Sequence, residues 1–155
     1  MSEGKIYYFL KNFFLNKGWE LLSGEPPDGS NNVRRVEIRN KNRMGIGSKG
    51  SYKIDLIFLH KDTLFLIELK PQYNQGDINK LNEVTTKRLN DLFDALEERC
   101  KLNRENIKQI IKCIGVGSLN NHILPIDFLG FVVKEENNIE IERGSSLNAL
   151  SLFED

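Results

Sequence analysis

Apolar residues in the middle of the chain fall into two nearly uninterrupted runs. Residues 52–60 have the sequence YKIDLIFLH, residues 63–70 have the sequence TLFLIELK, and only Lys61 and Asp62 separate them. Both runs are rich in β-branched and large apolar side chains, which predicts two strands joined by a tight turn. Neither run alternates between apolar and polar positions, so we expect both strands to lie inside a sheet that is covered on each face.

Apolar residues recur at helical spacing on either side of these two strands. Residues 5–17 carry an apolar stripe and are followed by Gly18, a residue type that often ends helices. Residues 77–102 carry a longer stripe with charged residues between its members, which predicts one long amphipathic helix. We expect these helices to cover the faces of the sheet.

Shorter apolar runs predict the remaining strands, and nothing in the sequence divides the chain. Further strands are predicted at residues 19–22, 33–40, 110–117, 126–134 and 139–142. No internal repeat, low-complexity tract or linker interrupts the 155 residues, so we expect a single domain over residues 1–155. The predicted fold class is α/β, with a central mixed β-sheet flanked by helices.

The turn between the two long strands determines which of their residues face each other. If the two residues between the strands form the turn, the numbers of paired positions sum to 123. Asp55 then lies opposite Glu68, and Lys53 lies opposite Lys70, with all four side chains on one face. Two carboxylates whose Cβ atoms are about 5 Å apart at the end of apolar strands are unfavourable unless a cation joins them.

Two interpretations of this pair of acids follow from the residues alone. In the first, Asp55 and Glu68 hold a divalent cation through their oxygens, and Lys70 lies beside it. In the second, Asp55 forms an ordinary ion pair with Lys70, and Glu68 is a solvated residue at the end of its strand. The tripeptide Glu-x-Lys does not decide between them, because it also occurs at residues 3–5.

The two strands resemble the motif of the PD-(D/E)XK nuclease superfamily, also called restriction-endonuclease-like. That motif has an Asp early in one strand, here in Ile54-Asp55, and Glu-x-Lys near the end of the next, here Glu68-Leu69-Lys70. The family core has the order α-β-β-β-α-β, which is similar to the order predicted over about residues 5–117, with extra strands following. Ile54 stands where the motif has the Pro that gives it its name.

The resemblance implies a fold, a metal and a set of roles. Asp55, Glu68 and Lys70 would be the catalytic residues, with Asp55, Glu68 and the backbone carbonyl of Leu69 as ligands of Mg²⁺, for which Mn²⁺ would substitute. The metal would activate the water that attacks phosphorus, and Lys70 would orient or deprotonate that water. Gln72 is a candidate for a further polar contact to the nucleic acid.

Many members of this superfamily use an additional Glu from the first helix. Residues 5–17 contain no acid, so the nearest substitute is Glu20, just past the predicted helix. Glu37 is an alternative. Which of these acids assists the site, if either does, is left open by the sequence.

A basic segment precedes the strand that carries Asp55, although the formal net charge of the chain is zero. Residues 33–53 contain seven cations and one anion, Glu37. On a strand, Arg35 and Arg39 share one face and Arg34 lies on the other. The segment is either a site for phosphates or an ordinary solvated surface. The candidate nucleic-acid-binding residues are Arg34, Arg35, Arg39, Lys49, Lys53 and Gln72.

The implied activity is a Mg²⁺-dependent endonuclease acting on DNA, of the restriction-enzyme or junction-resolving type. The chain has little room for a separate sequence-reading domain, so we expect a homodimer or a heterodimer with another nuclease or a specificity subunit. The rival function is a non-catalytic nuclease-fold module that binds nucleic acid or a protein partner. The absence of a long apolar segment, a secretory signal and a cysteine framework predicts a cytoplasmic protein without a membrane partner.

Overall fold

A computed structural model describes residues 1–29, 33–40 and 51–144 of the chain. These residues form three α-helices and eight strands. The helices are α1 (Glu3–Asn16), α2 (Gln75–Thr85) and α3 (Leu89–Cys100). The strands are β1 (Glu20–Gly24), β2 (Glu37–Ile38), β3 (Tyr52–Lys53), β4 (Leu56–His60), β5 (Thr63–Gln72), β6 (Gln109–Ser118), β7 (Phe128–Glu135) and β8 (Asn138–Arg143).

Six of the strands form one mixed sheet in the order β1-β4-β5-β6-β7-β8. The strands β1, β4 and β5 are antiparallel neighbours, β5, β6 and β7 run parallel, and β8 is antiparallel to β7. The strands β2 and β3 pair only with each other and form a separate two-stranded ribbon. The predicted α/β class with a central mixed sheet and flanking helices is confirmed.

The sheet is covered on both faces, as the apolar runs of its central strands predict. Ile57, Leu64 and Leu66 pack into a core cluster that includes residues of α2 and α3. Phe58 and Ile67 belong to a second cluster that includes residues of α1. Successive residues of a strand point to opposite faces, so a strand between two helical layers needs apolar side chains at nearly every position.

The predicted register of the central hairpin is confirmed. Leu56 pairs with Ile67 and His60 pairs with Thr63, so that paired numbers sum to 123. Lys61 occupies the first turn position with a φ of 56°, the left-handed conformation that the tight turns of two-residue hairpins require. This register brings Asp55 opposite Glu68 at the far end of the hairpin.

The prediction of one strand over residues 52–60 is wrong at its beginning. Residues 52–53 form β3, and the main sheet is joined only from Leu56 onward. Between them, Ile54 is fully buried in the cluster beneath α2 and α3 instead of continuing the alternation of β4. Lys53 consequently pairs with Glu37 of β2 and does not lie opposite Lys70. The strand predicted at residues 33–40 is likewise reduced to β2.

The predicted helix over residues 77–102 is two helices, α2 and α3. The hydroxyl of Thr85 donates to the Leu81 carbonyl at 2.9 Å, and that of Thr86 to the Asn82 carbonyl at 2.6 Å. Such bonds compete with the helical backbone pattern where α2 ends. Arg88 lies at the break, immediately before α3, and its buried guanidinium contacts the carbonyl of Ile38. None of the described helices is long and apolar enough to span a membrane.

Candidate active site

Asp55 and Glu68 are tied together by two side chain–backbone hydrogen bonds across the hairpin. The N–H of Asp55 donates to Oε2 of Glu68 at 2.9 Å, and the N–H of Leu69 donates to Oδ2 of Asp55 at 2.8 Å. The Asp55 carboxyl group also lies close enough to Glu68 for the negative charge of Glu68 to affect it. Glu68 is only 2% exposed. The prediction that the two acids lie side by side is therefore confirmed.

The proximity of these carboxyl groups changes the ionisation of Asp55. Burial, followed by the negative charge of Glu68, raises the pKa of Asp55 from 3.8 to about 7. The hydrogen bond from Leu69 and the charge of Lys80 oppose this rise without cancelling it. The positive charge near the pair is therefore too small to keep both carboxyl groups ionised at neutral pH, and an added cation would favour ionisation of both.

Lys70 lies on the same strand as Glu68, two residues further on, and pairs with an acid from helix α2. Its Nζ is 3.4 Å from Oδ1 of Asp77, and its side chain is 38% exposed. Burial alone would lower the pKa of Lys70, but the carboxylates of Asp77 and Asp55 prevail and raise it. The ammonium therefore keeps its proton near neutral pH.

These contacts exclude the simple ion-pair interpretation of the hairpin. Lys70 is bonded to Asp77 and not to Asp55, and Glu68 is buried and not solvated. The arrangement is a cluster of three acids and two lysines, divided between the end of the hairpin and helix α2.

The residues that sequence analysis missed are Asp77 and Lys80, one turn apart on α2. The Lys80 ammonium forms an ion pair with Oε1 of Glu68 and donates to the backbone carbonyl of Lys53. Burial raises the pKa of Asp77, and the nearby Lys70 opposes that rise. Asp77 and Lys80 are three residues apart and therefore lie on the same face of α2. This pair of charged residues near the beginning of the helix was the signal in the sequence that could have revealed them.

The donor atoms at this site suit an oxygen-ligated cation such as Mg²⁺. Among the described residues no group of three or more His, Cys, Asp or Glu side chains is arranged to hold a metal. A metal here would therefore need the carboxylates of Asp55 and Glu68 together with backbone carbonyls or water. Carboxylate and carbonyl oxygens are the ligands that Mg²⁺ uses, and it usually keeps several waters. The side chains present fit such an ion.

Neither acid expected to assist the site contacts Asp55 or Glu68 among the described residues. Glu20 begins β1 and pairs with the opposite end of β4, and Glu37 belongs to the separate ribbon. Glu25 contacts Asp55 only through its backbone, with its N–H donating to the Asp55 carbonyl at 2.8 Å, and its side chain pairs with Arg35. A bulge in β1 shifts its register, which the sequence does not reveal.

The basic segment contributes to a cavity of about 310 Å³ between the β2–β3 ribbon and helix α3. Arg34 does not line the cavity and lies near the thiol of Cys100 at the end of α3. The predicted division of the arginines between two strand faces does not apply, because only Glu37–Ile38 form a strand in this segment. The charged residues lining the cavity are Arg35, Glu37, Arg39, Lys53, Glu98 and Arg99. Arg35 also forms an ion pair with Glu25, so the cavity carries a small excess of positive charge, which favours an anion.

The remaining candidate contact residues lie apart from this cavity or outside the described part of the chain. Gln72 is exposed at the end of β5, where it pairs with Ser118 of β6. Lys49 falls within residues 41–50, which lie outside the described residues. Arg99, on α3, is a cation of the cavity that the sequence pattern did not single out.

Comparison with protein-family models, with curated proteins and with solved structures finds no match to this chain. The resemblance to the PD-(D/E)XK superfamily therefore stays a prediction from its motif. Any assignment of function depends on the chemistry of the cluster around Asp55 and Glu68 and on the charges near it.

Proposed function

We propose that the protein is a Mg²⁺-dependent endonuclease that hydrolyses phosphodiester bonds in DNA. The observation that carries this proposal is the pair of opposed, interacting carboxyl groups of Asp55 and Glu68, with Lys70 two residues beyond. Burying two acids side by side costs folding free energy, and a shared cation is the kind of ligand that offsets the cost. The order α1, β1-β4-β5, α2, β6 also supports a restriction-endonuclease-like core.

The residues of the cluster have distinct roles in this proposal. Asp55 and Glu68 hold the cation, which would activate the attacking water and offset charge on the phosphate. Lys70 remains an ammonium, because Asp77 and Asp55 outweigh the effect of its burial and raise its pKa. Its positive charge therefore stabilises negative charge on the phosphate oxygens and orients the water, and proton abstraction by Lys70 is disfavoured.

The basic cavity supports a nucleic acid as the substrate. Its cations lie on Arg35, Arg39, Lys53 and Arg99, and the Lys53 carbonyl accepts a hydrogen bond from Lys80, which also contacts Glu68. A phosphate backbone that reached both the cavity and the two acids would meet the cations of the cavity and Lys80. One such site cuts one strand, so cleavage of both strands would need a second copy or a partner nuclease.

A second candidate function is a nuclease-fold module that binds DNA without cutting it. The observation that favours it is the ion pair between Lys80 and Glu68, which neutralises one of the two acids without any metal. Such a module would use the basic cavity and have no need of Asp55.

Cleavage assays distinguish the two functions. Supercoiled plasmid, single-stranded DNA and a branched DNA would each be incubated with the protein in Mg²⁺ or in EDTA. We expect Mg²⁺-dependent cleavage of at least one substrate, and we expect Glu68→Ala to abolish it. The control variant Glu105→Ala, which removes an exposed acid and is prepared in the same way, should retain it. DNA binding without cleavage by the wild type, or equal cleavage by Glu68→Ala, would contradict the nuclease.

A further inference from the structure

Lys80 holds the position at which a cation would bind Glu68. Its side chain extends from helix α2, and its ammonium lies between Oε1 of Glu68 and the carbonyl of Lys53. Both contacts are oxygen atoms of the kind that bind Mg²⁺. The side chain is 23% exposed, so one edge of it faces solvent, whereas Glu68 is almost completely buried.

The hydrogen bonds of the two acids leave few oxygens for a cation. Oε2 of Glu68 and Oδ2 of Asp55 each accept a backbone N–H. Oε1 of Glu68 accepts from Lys80. Oδ1 of Asp55 has no backbone N–H or ammonium donor among the described residues. A cation shared by the two acids would use Oδ1 of Asp55 and Oε1 of Glu68, and the second of these is the oxygen that Lys80 occupies.

The two lysines of the cluster are not equivalent. Lys70 pairs with Asp77 and forms no ion pair with Asp55 or Glu68 in the described part of the chain. Lys80 pairs with Glu68 itself, so its ammonium and a metal ion compete for one carboxylate oxygen. Like charges a few ångströms apart also repel each other strongly in a partly buried site.

We propose that Lys80 is an exchangeable counter-ion, which neutralises Glu68 while no metal is bound and leaves Glu68 when a divalent cation binds. This inference rests on the proposed metal-dependent function. The flexible four-carbon stem of a lysine allows its ammonium to move to solvent without movement of the helix. Lys80 thus stabilises the metal-free protein and weakens its affinity for the metal.

Metal titration of Lys80 variants tests this inference without a cleavage assay. Mn²⁺ would be titrated into metal-free wild type, Lys80→Met and Lys80→Gln, and free Mn²⁺ would be measured by electron paramagnetic resonance. Both substitutions keep the length of the stem and remove the charge. The control is Lys112→Met, which removes a lysine of β6 that pairs with Asp127 and Asn82 and not with Glu68.

We expect both Lys80 variants to bind Mn²⁺ at least tenfold more tightly than the wild type, and Lys112→Met to bind it as the wild type does. We also expect a lower unfolding temperature for Lys80→Met in EDTA and a larger rise on adding Mn²⁺. If Lys80 only held Glu68 in place, its loss would leave the affinity for Mn²⁺ unchanged or would weaken it. If Lys80→Met does not fold, Lys80→Gln, which keeps a hydrogen-bond donor, gives the same comparison.

The outcomes separate this inference from the proposed function. Equal or weaker Mn²⁺ binding by the folded Lys80 variants, with binding by the wild type, would overturn the exchange of Lys80 alone. Absence of Mn²⁺ binding by the wild type and by both variants would overturn the metal-dependent function and the inference with it. Binding that is detected only in the Lys80 variants would support the competition between Lys80 and the metal and would contradict a metal-dependent function of the wild type.

Discussion

Asp55 and Glu68 are unfavourable for stability in the metal-free protein. The pKa of Asp55 rises to about 7 because the side chain is buried and because Glu68 is beside it. The folded protein therefore binds a proton that the unfolded chain releases near pH 4. Clusters of charged residues that lower the stability of the folded protein are typical of functional sites.

Replacing Asp55 by Asn should stabilise the metal-free protein in a pH-dependent way. A raised native pKa means that the contribution of Asp55 to stability is greatest at low pH and is lost as the pH rises through about 7. The Asn side chain never ionises and still accepts the Leu69 N–H through its oxygen. We expect the gain in unfolding temperature of Asp55→Asn, measured in EDTA, to be larger at pH 8 than at pH 5. A gain that is independent of pH would show that Asp55 has an ordinary pKa.

Replacing Lys70 by Ala should separate metal binding from cleavage. The substitution leaves the carboxylates of Asp55 and Glu68 in place and removes one positive charge near them, so metal should still bind. Cleavage should fall about 100-fold or more, because charge stabilisation and water orientation are lost. Mn²⁺ titration beside a plasmid-nicking assay tests this. Cleavage at the wild-type rate would mean that Lys70 takes no part in catalysis.

At the scale of elements, the sequence predicts best what local geometry determines. The two-residue turn at Lys61 sets the register of the hairpin, and the register brings Asp55 and Glu68 together. The break between α2 and α3 was not predictable in this way. Arg88, which lies at the break, contacts the carbonyl of Ile38, a residue fifty positions away in the chain, and such a contact cannot be read from local sequence. Lys80 was missed for the same reason, since its partners lie on other elements.

Removing the Arg88 side chain should destabilise the protein, because this side chain connects the segment between α2 and α3 with the ribbon of β2 and β3. Its Nε donates to Oδ2 of Asp91 at 2.8 Å, and its guanidinium lies over the ring of Tyr52 on β3. We expect Arg88→Ala to lower the free energy of unfolding by about 1–3 kcal/mol, since buried partners lose their hydrogen bonds. Urea denaturation would measure this. The neighbouring Lys87→Ala, at an exposed position, should change it by less than about 0.5 kcal/mol. Equal stability of the two variants would contradict the role of Arg88.

At the scale of the whole molecule, the ribbon of β2 and β3 connects the basic cavity with the acidic pair. Lys53 lines the cavity with its side chain and accepts a hydrogen bond from Lys80 through its carbonyl. The chain then passes through Ile54 to Asp55. An anion bound in the cavity would therefore lie near the cluster around Asp55 and Glu68, although the formal net charge of the protein is zero.

The arginines that line the cavity should affect DNA binding more than Arg34, which does not line it. Arg39 lines the cavity, whereas Arg34 is directed toward Cys100. We expect Arg39→Ala and Arg99→Ala each to weaken affinity for duplex DNA and to reduce the slope of log affinity against log salt by roughly 0.9. Arg34→Ala should have a smaller effect on both. Fluorescence anisotropy at several salt concentrations would measure this, and unchanged binding by the two cavity variants would make the cavity an ordinary surface.

Every role proposed for the site depends on Asp55 and Glu68 holding one divalent cation together. The most direct test is an Mn²⁺ titration, followed by electron paramagnetic resonance, of the wild type, Asp55→Ala and Glu68→Ala. We expect one Mn²⁺ per chain in the wild type and loss of that binding in each variant, because each acid supplies an oxygen ligand. Absence of binding by the wild type, or unchanged binding by both variants, would contradict a metal site at this pair of carboxylates.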